Sequence, residues 1–565
     1  MTDPGEFEVT RPDTPWVGRV LPSTSLVIAE ILVGVITLAL APVGLPWWVG
    51  VVVGVVIAVP LLARIGGVSL TRRMGGRISH IGRRRRNRNG PEAPFDVPMP
   101  EGGSCGMRWD GDRLITVIRV DADARALTRF IPGRTITDDI VPLDLIAECL
   151  TQFDILVDSV DVISRGSRAW GGGPIAEIYR RILGPLPATA FRSVVVVLRL
   201  DPLRNATAVE RRGGGSTGAL RTAAVATRRV AGRLAGRGRA ATILTASEAT
   251  ALVGVLTEGV DLADLDEKRT HLDLGALQTT THWLDESALT DVGVTAPWTV
   301  QSMNTVVAIH LRRSGSDPDE RVAISALARF TTTPGTEIDT PAGFRPMDGR
   351  QRTALVATLP LADPFRNRDG WEFITTVDAL RGLPLPAAGC GQLVGADADG
   401  RAVALPLVGS SVRSVEIAGS LHLGQQVILR AIALGARVMV TSDRPGDWMR
   451  MAKTVGNPQV LAVAGAAAGS QVAGARQGYS VLVFDGTPPP FQSAEVTTIA
   501  ITAPGRTPSD HVDVSLAQND ETGTWVTVRS GSESIRAMMV ASADELNFIG
   551  HSVGVHRTGS TTVPR

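Results

Sequence analysis

Lysine is almost absent from this chain. Of its 57 basic residues only Lys268 and Lys453 are lysine, so nearly all positive charge is carried by arginine. Cysteine is scarce as well: Cys105, Cys149 and Cys390 are odd in number and far apart, which argues against a disulfide framework or a cysteine-based metal site and fits a reducing compartment. The eight histidines form no HExxH pattern and have no cysteine at ligand spacing, so no metal site is predicted. Excess charge is also missing, with a net value of only +1. Residues 64–88 hold nine arginines and no acid, which leaves the remainder of the chain net negative by eight. A folded surface that grips nucleic acid would carry its own positive excess, so no nucleic-acid partner is expected. With 44% hydrophobic and 20% charged residues the chain is not disordered or collagen-like despite 60 Gly and 35 Pro, and 565 residues predict two or three folded units.

What is present first is a long apolar run. Residues 26–63 contain one charge, Glu30, and are broken at 41–46 by a Pro/Gly-rich turn, which predicts two transmembrane helices. The spans, residues 25–43 and 46–62, reach roughly 25 to 29 Å at ~1.5 Å per residue, near the ~30 Å hydrocarbon core. Trp47 and Trp48 fall at the turn, where indoles favour the interface. Glu30 either meets another helix or lies close enough to the headgroups to reach them. The arginine block that follows, with Arg83, Arg84, Arg85 and Arg86 at its centre, is read as cytoplasmic by the positive-inside rule, and as a contact for anionic lipid or a topology signal alone. Both termini are then expected in the cytoplasm, on a two-pass plasma-membrane protein. A cleaved signal peptide fits two spans and a Pro/Gly break poorly.

The expected organisation is a tail at 1–24, a transmembrane hairpin at 25–64, an Arg- and Pro-rich linker at 65–100, a cytoplasmic α/β domain at 101–345 and a C-terminal α/β domain at 385–565. Residues 112–121 and 194–200 read as strands, the second (VVVVLRL) as one buried on both faces, with helices predicted at 141–153, 174–183 and 219–234. Residues 301–312 and 321–331 read as a hairpin, and 332–385 as a boundary region. Arg211-Arg212-Gly213-Gly214-Gly215 before the third helix reads as a flexible loop rather than an anion site.

Two segments bear on chemistry. Residues 102–106 match G-x-S-x-G in letters, but they precede a strand, whereas a nucleophile elbow needs strand, turn and helix in that order. In the C-terminal region a predicted strand at 414–418 is followed by Gly419 to Gln426 and then a helix, the layout of a phosphate-binding loop. Gly419 and Gly424 hold the glycine positions, but Gln425 stands where lysine is required and Gln426 where Ser/Thr is required. Residues 479–485 end a hydrophobic strand in Asp485, the form of a Walker B element. Nucleotide hydrolysis needs an ammonium against the β/γ-phosphates and a hydroxyl on Mg²⁺, and glutamine supplies neither. The expectation is a degenerate RecA/P-loop-like fold, with no catalytic residue and no cofactor; binding through backbone N–H groups alone stays compatible with it.

The two adjacent spans and Arg-rich exit, Cys105-Gly106-Met107-Arg108-Trp109-Asp110-Gly111-Asp112, Ile163-Ser164-Arg165-Gly166-Ser167, Leu183-Gly184-Pro185-Leu186-Pro187-Ala188 and the Arg211–Gly215 run resemble the EccE component of actinobacterial type VII (ESX) secretion systems. The resemblance is clearest over residues 20–240. It implies a plasma-membrane subunit of a complex with EccB, EccC and EccD, its soluble part cytoplasmic, with the EccC ATPase supplying energy. The expected function is therefore a non-enzymatic, membrane-anchored structural subunit; the alternative is a membrane-tethered nucleotide-binding or nucleotide-hydrolysing protein using residues 419–426 and 485.

Overall fold

The computed structural model describes residues 92–550, apart from 122, 124, 125, 132, 172, 315–320, 362–371, 410–411, 466–477, 490–495 and 519–523. Before residue 92 it describes only 34, 37, 48, 64, 65, 68 and 69. The expected transmembrane hairpin, with Glu30 and Trp47, and the arginines Arg83 to Arg86 fall outside the described residues. Gly34, Thr37 and Trp48 have helical backbone, and Trp48 is 56% exposed. No helix among the described residues is long and apolar enough to cross a membrane.

The described chain is mostly β-sheet with some helices, arranged on two large sheets. The first has thirteen strands, centred on Arg321–Thr332, Asn304–Arg313, Ser159–Ser167, Phe191–Leu200 and Arg113–Val120 in that spatial order. All these neighbours pair antiparallel, which corrects the α/β reading of residues 101–345. The misleading signal was the apolar run at 194–200, which resembles a strand of a parallel sheet. An antiparallel sheet shows the same run when both of its faces are covered. Val194, Val196, Leu198 and Leu200 face a core closed by Ala226, Val230 and Leu234 of the Gly215–Gly236 helix. Val195 and Val197 face the opposite core, with Leu256 and Leu355. The predicted hairpin is present as Asn304–Arg313 against Arg321–Thr332. Residues from the expected boundary region also join this sheet, as strands Phe344–Pro346 and Phe373–Thr376.

The second sheet has twelve strands. Six are parallel, in the order Leu461–Gly465, Val438–Ser442, Val481–Asp485, Thr497–Thr502, Ser414–Ala418, Val514–Gln518. Antiparallel strands continue the sheet and end in Thr128–Ile131 and Arg134–Ile136, which come from the N-terminal side of the chain. The helix Leu421–Ala433 returns the chain after Ser414–Ala418, and eleven of its thirteen residues are buried.

The two sheets interlock. The helix Pro174–Leu183, inserted between two central strands of the first sheet, packs Ile175 and Tyr179 beside Leu429 and Ala433 of the second body. Tyr179 Oη accepts a hydrogen bond from the Leu393 amide at 2.8 Å, and Trp170 N donates to the Ala433 carbonyl at 3.0 Å. Trp170 covers Gly435, where a Cβ would lie 2.6 Å from its Cγ.

Candidate functional site

The chemistry-bearing pattern of the sequence falls at the carboxyl edge of the parallel strands. Ligands of open α/β sheets bind at that edge. Ser414–Ala418 and Val481–Asp485 both end there with Thr497–Thr502 between them, so the two strands lie about 10 Å apart at ~4.8 Å per strand spacing.

The connection after Ala418 is shorter than the glycine pattern implies. Only Gly419 and Ser420 separate the strand from a helix that begins at Leu421. Ser420 caps this helix, its hydroxyl accepting from Leu423 N at 3.3 Å, and Ser420 N donates to Gln518 Oε1 at 2.6 Å. A Cβ at Gly419 would stand 2.8 Å from Gln518 Oε1 and Leu423 Cδ2, so the position is filled by packing. Gly424, Gln425 and Gln426 lie inside the helix. Gly424 permits contact with Ile501, whose Cδ1 would be 2.7 Å from a Cβ. Gln425 is 2% exposed and its amide nitrogen donates to the Asp447 carbonyl at 3.2 Å.

Gln426 belongs to a buried lock. Its Nε2 lies 3.4 Å from Glu545 Oε2, and one turn later Arg430 meets the same carboxylate through Nε at 2.6 Å and Nη2 at 3.1 Å. Arg430 Nη1 also donates to the Leu393 and Val394 carbonyls. Glu545 sits in the Ala543–Ile549 helix, fixed by a capping box with Ser542. Burial pushes the Glu545 carboxyl up, but the Arg430 hydrogen bonds and charge more than offset it and leave it below the usual range.

Asp485 is fully buried and fully engaged. Ser442 Oγ (2.8 Å), Trp448 Nε1 (2.8 Å) and Arg444 through Nε (2.8 Å) and Nη2 (2.6 Å) all donate to it. Burial raises this carboxyl and those donors lower it further, so it stays below the ordinary aspartate range. A carboxylate ringed by an arginine fork, an indole and a hydroxyl fastens the Pro445–Val455 helix to two strand ends. Gly419, Gly424, Gln425, Gln426 and Asp485 thus share one edge of one sheet, but each is engaged with its own neighbours.

The first sheet contains a polar cluster that the sequence reading passed over. Asp161, Arg199 and His310 are buried on three adjacent strands. Arg199 donates to Asp161 and to the Leu361 carbonyl, and His310 Nδ1 lies 2.9 Å from Asp161 Oδ1. Its signal was visible as charged letters inside apolar strands, as in VDVIS and VVVVLRL. Elsewhere Gly106, of the G-x-S-x-G letters, lies in strand Ser104–Asp110, and a Cβ there would overlap the Thr245 backbone. The arginines of the 211–215 loop are engaged with Asp154, Arg212 at 2.8 Å and Arg211 at 4.0 Å.

Comparison with known proteins shows what the chain is similar to. The family described as "Putative type VII ESX secretion system translocon, EccE" matches residues 188–284, which run from the Phe191–Leu200 strand to Gln278–Leu284 of the first sheet. The chain is 28% identical over 407 residues to ESX-1 secretion system protein EccE1 of Mycolicibacterium smegmatis, covering 69% of this chain and 76% of that protein. It is 24% identical over 406 residues to EccE1 of Mycobacterium tuberculosis, covering 70% and 77%. With ESX-5 secretion system protein EccE5 of Mycobacterium marinum it shares 26% identity over 274 residues, 46% of this chain and 65% of that protein. These matches bear out the resemblance carried by the N-terminal motifs: the chain is similar to the EccE components of ESX type VII secretion systems over about 70% of its length.

Proposed function

We propose that this chain is a non-enzymatic, membrane-anchored structural subunit of an ESX membrane complex, holding it at the cytoplasmic face beside EccB-, EccC- and EccD-type subunits. The observation that carries the reading is the state of the nucleotide-like edge. Gln425 and Gln426 are buried inside a helix, and Asp485 accepts four hydrogen bonds from Ser442, Arg444 and Trp448. Side chains that would touch phosphate and Mg²⁺ in a motor here hold helices in place.

In this reading the C-terminal body keeps a RecA-type layout without its chemistry. Parallel strands support it, as does the position of Gly419 and Asp485 on one edge. Residues 25–64 anchor the chain as a two-pass hairpin with both termini cytoplasmic, and residues 101–345 and 385–565 form the cytoplasmic portion. The test is Mg²⁺-dependent ATP turnover by the full chain in mild detergent. The expected rate is that of the buffer; turnover that follows the chain through purification and disappears in Gln426→Ala overturns the proposal.

A further inference from the structure

A surface next to the EccE-matched strands combines two exposed apolar tips with a dense group of arginines. Phe153 and Asp154 form the two-residue turn of a small hairpin closed by Gln152 and Ile155. Phe153 is 94% exposed and holds φ at +54°, in a place where two-residue hairpins favour glycine. Folding gains little from either property: apart from one exposed arginine contact, a bulky ring is held out in water by a strained backbone, and such strain points towards function. The next turn carries a second tip, Leu203, 79% exposed, whose amide is fixed by Asp201 Oδ1 at 2.8 Å. Asn205 ties the two turns together, its Oδ1 accepting from Leu156 N at 2.7 Å and its Nδ2 donating to Leu156 O at 2.8 Å.

Charge lies beside the hairpin. Of the nine arginines between Leu203 and Ala240, Arg204, Arg228, Arg233 and Arg239 meet Asp158, Glu101, Glu148 and Asp139, which leaves Arg211, Arg212, Arg221, Arg229 and Arg237. Three of them, Arg211, Arg212 and Arg229, crowd the single carboxylate of Asp154. Arg229 also lies 5.2 Å from the Phe153 ring centre. Arg221, exposed on the helix Gly215–Gly236, has its guanidinium on a backbone carbonyl, that of Arg212, which leaves its charge unneutralised by that bond. The base of the projecting hairpin is therefore net positive.

Projecting apolar side chains over a cationic base are the makings of an interfacial membrane contact, in which the tips enter the headgroup region and arginines meet anionic lipid. We propose that Phe153 and Leu203, with Arg211, Arg212, Arg221 and Arg229, dock this face on the anionic surface of a bilayer. The inference rests on the membrane-anchored reading above, which keeps the soluble part within reach of lipid. Charge complementarity decides for lipid over an apolar protein groove, because three arginines share the one Asp154 carboxylate beside the Phe153 tip.

The test uses the full chain with Phe153→Cys, labelled with an environment-sensitive fluorophore; Cys105, Cys149 and Cys390 are buried and stay unlabelled. The labelled chain is reconstituted into phosphatidylcholine vesicles with or without phosphatidylglycerol. In the anionic vesicles the label is expected to shift to the blue and to be quenched by brominated acyl chains, and Arg211→Gln with Arg221→Gln to weaken the docked state by about fivefold per charge. A chain that floats with the vesicles while its label stays in water overturns this contact alone. A chain that does not float overturns the membrane-anchored reading and the contact with it. A label that leaves water only when other secretion subunits are added assigns the surface to a protein and also overturns the proposal.

Discussion

Arginine, rather than lysine, can occupy the interior positions that this fold gives to cations. Arg168 collects the carbonyls of Gly184, Leu186 and Trp298, and Arg430 those of Leu393 and Val394 while gripping Glu545. A planar fork with five donors can do this; a single ammonium cannot. Arg430→Lys is therefore expected to destabilise the chain by about 3 kcal/mol, near the range for breaking a buried pair, as a lowered unfolding midpoint. His282 provides a pH signature. Burial lowers its imidazole from 6.5 to about 4, so between those values the unfolded chain takes up a proton that the folded chain refuses. Its contribution is complete above pH 6.5 and falls as pH drops towards 4. His282→Gln is expected to flatten the dependence of the unfolding midpoint on pH across that window. The buried thiols behave in the opposite sense: burial pushes Cys105 and Cys390 up to about 12, so iodoacetamide at pH 7.5 is expected to leave both unmodified until the chain unfolds, as mass spectrometry would show.

Among the elements, Leu421–Ala433 differs most from its expected form. The glycines at 419 and 424 read as a loop, yet Ser420 is a good N-cap and Leu423 and Val427 already have helical spacing. Gly424 is in the helix because Ile501 presses against it, a contact with a residue 77 positions away that no local pattern announces. By contrast Pro174–Leu183 and Ser414–Ala418 match their predicted limits, because a proline at the first helical turn and a short apolar run are local signals. Restoring the motif by Gln425→Lys would bury an ammonium at a 2% exposed position. It is expected to cost about 3 kcal/mol or more and to produce no ATPase, whereas Gln425→Met, which keeps the volume, should cost less than about 1.5 kcal/mol. Urea unfolding of the three proteins gives that ranking. The locks at Asp485 and Glu545 were not legible, since Asp485 shows as a strand end and nothing in sequence joins residue 430 to 545.

Across the whole molecule, the two sheets draw their strands from segments in ways that chain order conceals. Thr128–Ile131 and Arg134–Ile136 lie within the segment expected as the first domain but are hydrogen-bonded into the second sheet. Such pairing is non-local and has no signature in a window of ten residues. Helix Pro174–Leu183 adds a second tie, and Tyr179→Phe, which leaves the buried Leu393 amide without its acceptor, is expected to cost about 1–3 kcal/mol. In a chain built this way, the buried polar groups Asp485, Glu545 and Arg430 hold elements together. The most direct measurement is the composition of the particle recovered in mild detergent through a C-terminal tag on the full chain. The account predicts a large assembly that contains EccB-, EccC- and EccD-type subunits in fixed ratio; recovery of the chain alone, with those subunits assembled without it, would contradict it.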